Sequence, residues 1–212
     1  MTPVLKAGVY AAAVGGALIL LDLVGDDYLC LPGAGAAIAV TEDGAVEVTD
    51  AATAEILREA GLLGAKPASP PAPLPGRPSA TVIHDPPGRR PDPAMWLQGL
   101  EAALAVRRSR KRGGVSDCLA LAGPRGGDRN PGRVVEAARA FWRMAPWLPI
   151  EGECLVRSAL LMRFLTRRGL EADWVFGVRL WPFMAHCWLQ LGDLCLNDDV
   201  ERLAAYTPIY CR

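Results

Sequence analysis

Ten of the 18 prolines in this 212-residue chain fall between Pro67 and Pro93. Proline lacks a backbone donor and clashes with the preceding helical turn, so such a stretch sustains neither a helix nor a central strand. Residues 66–93 read as an extended, semi-rigid linker. They divide the chain into an N-terminal domain, residues 1–65, and a C-terminal domain, residues 94–212. Charge divides at nearly the same place. The chain balances 23 basic against 23 acidic side chains, but residues 1–85 carry 4 and 10 of them, and residues 86–212 carry 19 and 13. Overall neutrality argues against a dedicated nucleic-acid binder, which shows a strong basic excess. A hydrophobic fraction of 51% excludes wholesale disorder.

The six cysteines stand at 30, 118, 154, 187, 195 and 211, with no CxxC pair and no compact framework. That spacing suits reduced, buried thiols in a cytoplasmic protein better than a disulfide-stapled fold. Residues 7–21 are uncharged, but fifteen residues are short for a membrane span, and Gly15-Gly16 interrupts them. They read better as two strands, 8–14 and 17–23, joined at a glycine turn, so no membrane association is expected. A third strand is expected over Asp27–Leu31 and a short alanine-rich helix over residues 35–40. Asp50 is placed to cap a helix over residues 51–60 that Gly61 ends. The first domain holds no histidine, and its one cysteine sits among apolar neighbours. Binding is a better expectation for it than catalysis.

Beyond the linker, helical patterns cover residues 94–112, 131–147 and 155–168, the last apolar around most of its circumference and hence buried. Strand patterns follow over 172–179, 184–191 and 194–197, with Gly192-Asp193 turning the last two into a hairpin. Helices followed by an antiparallel sheet make this an α+β chain. The basic run Arg107–Arg112 is expected as a solvated helix end, which suits the helix dipole. No P-loop or dinucleotide glycine pattern is present, so neither a cofactor nor a means of ATP dependence is evident, and no His/Cys set has metal-site spacing.

Only two histidines exist. His84 lies in the proline-rich stretch, where no rigid scaffold is expected to hold it. His186 lies mid-strand between Ala185 and Cys187. Cys154 follows Glu151-Gly-Glu153 at the start of the buried helix, where unpaired amides and the positive dipole end favour a thiolate. Glu151 and Glu153 oppose that effect. A histidine on a neighbouring strand would complete an activating ion pair, and an acid or amide on the next strand would orient the ring. Two candidates for that orienting role adjoin. A two-residue hairpin turn sets residue 199 opposite His186, whereas a three-residue loop sets residue 198 there.

The words Cys154-Leu-Val-Arg-Ser158, Arg167-Arg-Gly-Leu170, Val178-Arg179, Pro182-Phe183-Met-Ala-His186-Cys-Trp188 and Leu196-Asn-Asp198 resemble those of the transglutaminase-like leader peptidases of lasso-peptide biosynthesis, the B maturation proteins. The resemblance covers about residues 130–212. It implies a papain-like cysteine protease domain with Cys154 as nucleophile, His186 as general base and acid, and Asp198 as orienting carboxylate. Cys187 departs from the pattern, since a small alanine commonly follows the histidine. Strand alternation points it to the opposite face, where a packing role is expected. Trp188 would share the histidine's face. Fused members of the family carry a small recognition domain, three strands followed by helices, that takes the precursor's leader as an added strand. By that likeness Tyr28, Leu29, Cys30, Leu31, Ile56 and Leu57 would bind the leader. The implied partners are the lasso precursor peptide and an asparagine-synthetase-like cyclase. The implied reaction is hydrolysis of the leader–core amide.

Overall fold

The computed structural model describes residues 3–41, 46–64, 73–84, 88–149 and 151–212. Contacts divide the chain into two units. One comprises Met1–Leu74, Gly177–Ala185 and Thr207–Cys211; the other comprises Pro75–Phe176, His186–Tyr206 and Arg212.

In the first unit, β1 (Val4–Leu5) precedes a meander of β2 (Val9–Val14), β3 (Ala17–Asp22) and β4 (Asp27–Leu31). Gly15 and Gly16 make the first turn at φ 55° and 80°, the backbone of a two-residue hairpin that side chains with a Cβ resist. The register follows, with Val14 opposite Ala17 and Tyr10 opposite Leu21. β3 is central and almost wholly buried, while β4 is an edge strand of this sheet. A second sheet, in the order β5-β6-β1-β7, uses β5 (Ile38–Val40), β6 (Val46–Val48) and β7 (Leu63–Gly64).

The helix expected over residues 35–40 is not there. Ala37 turns back onto Ala34 (3.0 Å), and Ile38–Val40 pairs with Val46–Val48. Ile38 and Val40 favour a pleated pairing, and β6 offers the partner strand. The expected three-strand sheet is thus present as β2–β4, and among the described residues the unit adds a second sheet and has one helix, α1 (Ala51–Glu59). The Asp50 carboxylate caps α1 by accepting from the Thr53 amide at 2.7 Å, and Gly61 at φ 66° follows its end. Leu57 of α1 packs with Leu5, Val9, Leu18, Leu20, Val48 and Leu62 in one apolar core.

β8 (Ala80–Thr81), in the second unit, lies within the span expected as linker. It is the last strand of a five-stranded sheet in the order β12-β9-β10-β11-β8, formed with β9 (Asp173–Arg179), β10 (Met184–Leu191), β11 (Leu194–Cys195) and β12 (Thr207–Cys211), of which β12 and residues 177–185 are counted with the first unit. Proline does not enter this strand: the stretch from Ser79 to Ile83 is free of it. The helices are α2 (Pro93–Arg112), α3 (Val115–Ala120), α4 (Pro131–Met144), α5 (Cys154–Arg167) and α6 (Val200–Leu203). Asp92 and Asn130 cap α2 and α4, each followed by a proline whose missing N–H costs nothing in the first turn. α5 packs on α2 and α4, burying Ser158, Ala159, Leu161, Phe164 and Leu165. Among the described residues no helix is long and apolar enough to cross a membrane.

The adjacent residues Ile56 and Leu57 give a direct test of the first unit's packing. Leu57 is 0% exposed and Ile56 is 46% exposed. Leu57→Ala should destabilise by about 2–5 kcal/mol, the cost of a core truncation. Ile56→Ala should change stability by no more than about 0.5 kcal/mol. Chemical denaturation of the two variants reads the difference.

Candidate active site

Cys154 is the first residue of α5, behind Glu153, whose side chain makes no cap bond. The first amides of a helix have no intrahelical acceptor, so a group at this end sits in a field that favours negative charge. The chain reaches the helix through Gly152, where an added Cβ would lie 2.5 Å from Cβ of Val156. Only glycine lets the entering backbone lie so close to the helix. Cys154 is half-buried, while Cys187 is wholly buried.

His186 stands on β10 and is 5% exposed. Its Nε2 meets Asp198 Oδ2 at 2.5 Å, which leaves Nδ1 for the Cys154 thiol, its other hydrogen-bond partner. The ring contacts Tyr206, with centroids 5.2 Å apart, and stacks toward Trp188 at 6.4 Å. Trp188 thus shares the histidine's face, as strand alternation requires, and its Nε1 donates to Gln190 at 2.6 Å.

The choice between Asp198 and Asp199 turns on where pairing stops. Leu191 faces Leu194 and Gln190 faces Cys195, so the turn is the two-residue form, and a continued ladder would carry residue 199 to His186. The ladder does not continue. After the Leu196 amide bonds the Leu189 carbonyl at 2.8 Å, the Asn197 side chain takes over and accepts from the Leu189 amide at 2.7 Å. The backbone thereby leaves the strand path, and Asp198 reaches the ring. Asp199 instead caps α6 through the Glu201 amide (3.0 Å) and meets His84 Nε2 at 2.8 Å. His84 therefore has a fixed partner, contrary to its expected place in an unscaffolded linker.

The electrostatics separate the two thiols. The pKa of Cys154 is lowered to about 4, chiefly by a hydrogen bond from the Cys187 thiol; burial opposes this, and His186 and the Cys187 amide add to it. The His186 pKa is raised to about 9: burial pushes it down, but the bonds to Asp198 and Cys154 outweigh burial. Burial also raises Asp198, yet His186 and the Asp199 amide hold its carboxyl below the usual range. Cys187 is wholly buried, as a packing residue would be, and its thiol also favours the charged form of Cys154. Ser158, one turn along α5 from Cys154, donates to the Cys187 carbonyl at 3.3 Å and lies 3.8 Å from its sulfur. α5 therefore lies against Cys187, which brings that thiol up to the helix start. Asn197 Nδ2 donates to the same Ser158 hydroxyl at 2.8 Å. Neither Ser158 nor Asn197 was singled out in the sequence as a site residue, although both lie inside the words that carry the family likeness.

A thiolate, an imidazolium and a carboxylate in series, at a helix N-terminus, can attack a carbonyl and protonate the group that leaves. The family model described as the Transglutaminase-like superfamily matches residues 96–211. The chain belongs to the transglutaminase-like superfamily. Its transglutaminase-like region takes in Cys154, His186 and Asp198. A curated relative, the microcin J25-processing protein McjB of Escherichia coli, is 40% identical over 48 residues, which is 23% of this chain and 23% of that protein. No solved structure matches the chain.

In the first unit the six residues expected to bind a peptide separate. Leu31 and Ile56 line a groove of about 600 Å³ between the end of β4 and α1, together with Gly33, Ala36, Asp50 and Thr53. Tyr28 packs on Phe183 with ring centroids 5.7 Å apart, Leu29 leans on the apolar core, and Cys30 is half-buried opposite Ile19. Leu57 is in the core and does not reach the groove, because it lies one position round the helix from Ile56. Among the described residues no group of three His, Cys, Asp or Glu could hold a metal ion.

The pKa directions set the pH behaviour of Cys154. Below about 4 its thiolate takes a proton, and above about 9 His186 loses one, so the ion pair occupies the window between. Alkylation by iodoacetamide should therefore stay fast at about pH 6, where an ordinary thiol is almost wholly protonated. In His186→Ala the acid limb should move upward. Mass spectrometry of the Cys154 peptide against pH checks both.

Proposed function

We propose that the chain is a leader peptidase of lasso-peptide biosynthesis, a thiol hydrolase that cuts the amide between the leader and the core of a precursor peptide. The observation that supports this best is the Cys154–His186–Asp198 series at the start of α5. The local likeness to a microcin-processing protein supports a peptide precursor as the substrate class.

In this reading the Cys154 thiolate attacks the scissile carbonyl. His186, protonated at rest, gives its proton to the departing amine, and the core peptide leaves with a free N-terminus. Water then enters, His186 takes its proton, and the hydroxide so formed releases the leader as a carboxylic acid. Asp198 keeps the ring oriented and supports its positive charge through both steps. No cofactor is needed for this chemistry. The freed amine suits macrolactam formation by a partner cyclase of the asparagine-synthetase-like kind.

The first unit would hold the leader. β4 offers an open edge for an added strand, and the groove with Leu31 and Ile56 would take apolar side chains from it. A proline-rich linker would keep a leader held there at high effective concentration for the hydrolase. The protein would act in the cytoplasm, where precursor and cyclase are made.

Incubation of a precursor with wild-type protein and with Cys154→Ala, read by mass spectrometry, tests the hydrolase. Wild type should yield two products whose summed mass exceeds the precursor by one water; Cys154→Ala should yield neither. Cleavage by Cys154→Ala would remove the thiol from the mechanism. A product lacking the added water would mean acyl transfer to an amine. For the leader, Ile56→Asp should weaken binding of a labelled leader peptide by about tenfold or more, since a charge would enter an apolar groove. Unchanged fluorescence polarisation would remove the groove from recognition.

A further inference from the structure

We infer that Thr81 and His84, in the stretch that reads as linker, are positioning residues for the orienting carboxylate Asp198; this rests on the hydrolase reading above. The segment is zipped to the hairpin that carries Asp198. Leu194 pairs with Ala80 and Cys195 with Thr81, in parallel. The Asp193 carbonyl accepts from the amides of Ser79 (2.7 Å) and Ala80 (3.2 Å), and the Val82 amide donates to the Cys195 carbonyl at 3.0 Å. Ser79 Oγ also donates to the Asp193 carboxylate at 3.0 Å, and Val82 is buried.

β11 ends at Cys195, and after the Leu196 amide bonds the Leu189 carbonyl no main-chain ladder carries the chain on to Asp198. The same segment supplies what the ladder no longer does. Thr81 Oγ donates to the Asp198 carbonyl at 2.7 Å, and its own oxygen accepts from the Ile83 amide at 3.3 Å. Three residues on, His84 holds the outer oxygen of the Asp199 carboxylate, whose other oxygen caps α6. Asp198 is thereby held at its own carbonyl and at the next side chain by one short segment. The opposite flank is held by Asn197, which bonds Leu189 and Ser158. Asp198 Oδ2 must lie 2.5 Å from the ring nitrogen, and a backbone free to drift by an ångström would lose that bond. Nothing in Thr81 or His84 touches the reacting atoms, and their effect passes through Asp198.

Thr81→Val keeps the shape and removes the hydroxyl, whereas Thr81→Ser keeps the hydroxyl. Steady-state cleavage of the precursor, the pH profile of Cys154 alkylation and the thermal midpoint would be measured for wild type and both variants. Thr81→Val should lower kcat by about tenfold with KM unchanged, the scale of an imprecisely held catalytic group. It should also raise the acid limb of alkylation as His186 loses support for its charge. Thr81→Ser should restore both, and His84→Ala should move both in the direction of Thr81→Val. Wild-type kcat and an unshifted alkylation profile in Thr81→Val would overturn the assignment. So would an equal loss in Thr81→Ser, or a loss that tracks a fallen midpoint alone. A wild-type Cys154 that alkylates like an ordinary thiol would instead sink the ion-pair reading itself, independently of Thr81.

Discussion

A thiolate half-buried at the start of a helix depends on a cation beside it, and His186 is that cation only while Asp198 holds its far nitrogen. The 2.5 Å bond between them is therefore the interaction on which the candidate site rests. Helix dipole and amides lower the cost of charge on Cys154, but Glu151 and Glu153 just before the helix work against them. The hydrogen bonds from Cys187 and His186 tip the balance. Much of the second unit can be understood as what brings three short segments to one point: the buried face of α5, the hairpin of β10 and β11, and the turn after β11.

The parts legible in the sequence are those set by strong local rules. Apolar coverage around residues 155–168 foretells a buried α5, and Gly192-Asp193 foretells the hairpin. Asp50 and Gly61 mark α1 because a cap and a stop are local chemistry. Legibility fails where a side chain replaces a backbone rule. The register alone points to residue 199, and only the substitution of the Asn197 amide for main-chain pairing brings residue 198 to His186. It fails again at Ala80–Thr81, where two residues between prolines make a strand only because β11 presents an open edge. No periodicity exists in two residues. Residues 35–40 show the same limit from the other side, since alanine content suggested a helix and the neighbouring β6 decided otherwise.

The first unit shows how helix geometry sorts neighbours that a sequence treats alike. Ile56 and Leu57 are both aliphatic, yet one turn position separates a groove wall from the centre of the core. The same holds along β4, where Leu29 and Leu31 share the face that turns toward the core, and Tyr28 and Cys30 take the other. A peptide added at that edge would meet side chains of both faces alternately. Its selectivity would then be read by the groove and its affinity by the backbone of β4.

Cys187 gives the site a feature that its motif did not foretell. Burial raises its pKa well above the ordinary thiol value, and the neighbouring Cys154 adds to that. Cys154, at the helix end, is shifted the opposite way. Two chemically identical groups are thus pushed in opposite directions by their surroundings. That division follows from where each sits. Cys187 is walled in by α5 with Ser158 at its sulfur, and Cys154 lies half-buried at the helix start beside His186. Environments that push paired titrating groups apart are how one fold assigns acid and base roles. Burial thus holds Cys187 in its neutral form beside a Cys154 whose ionised form is favoured.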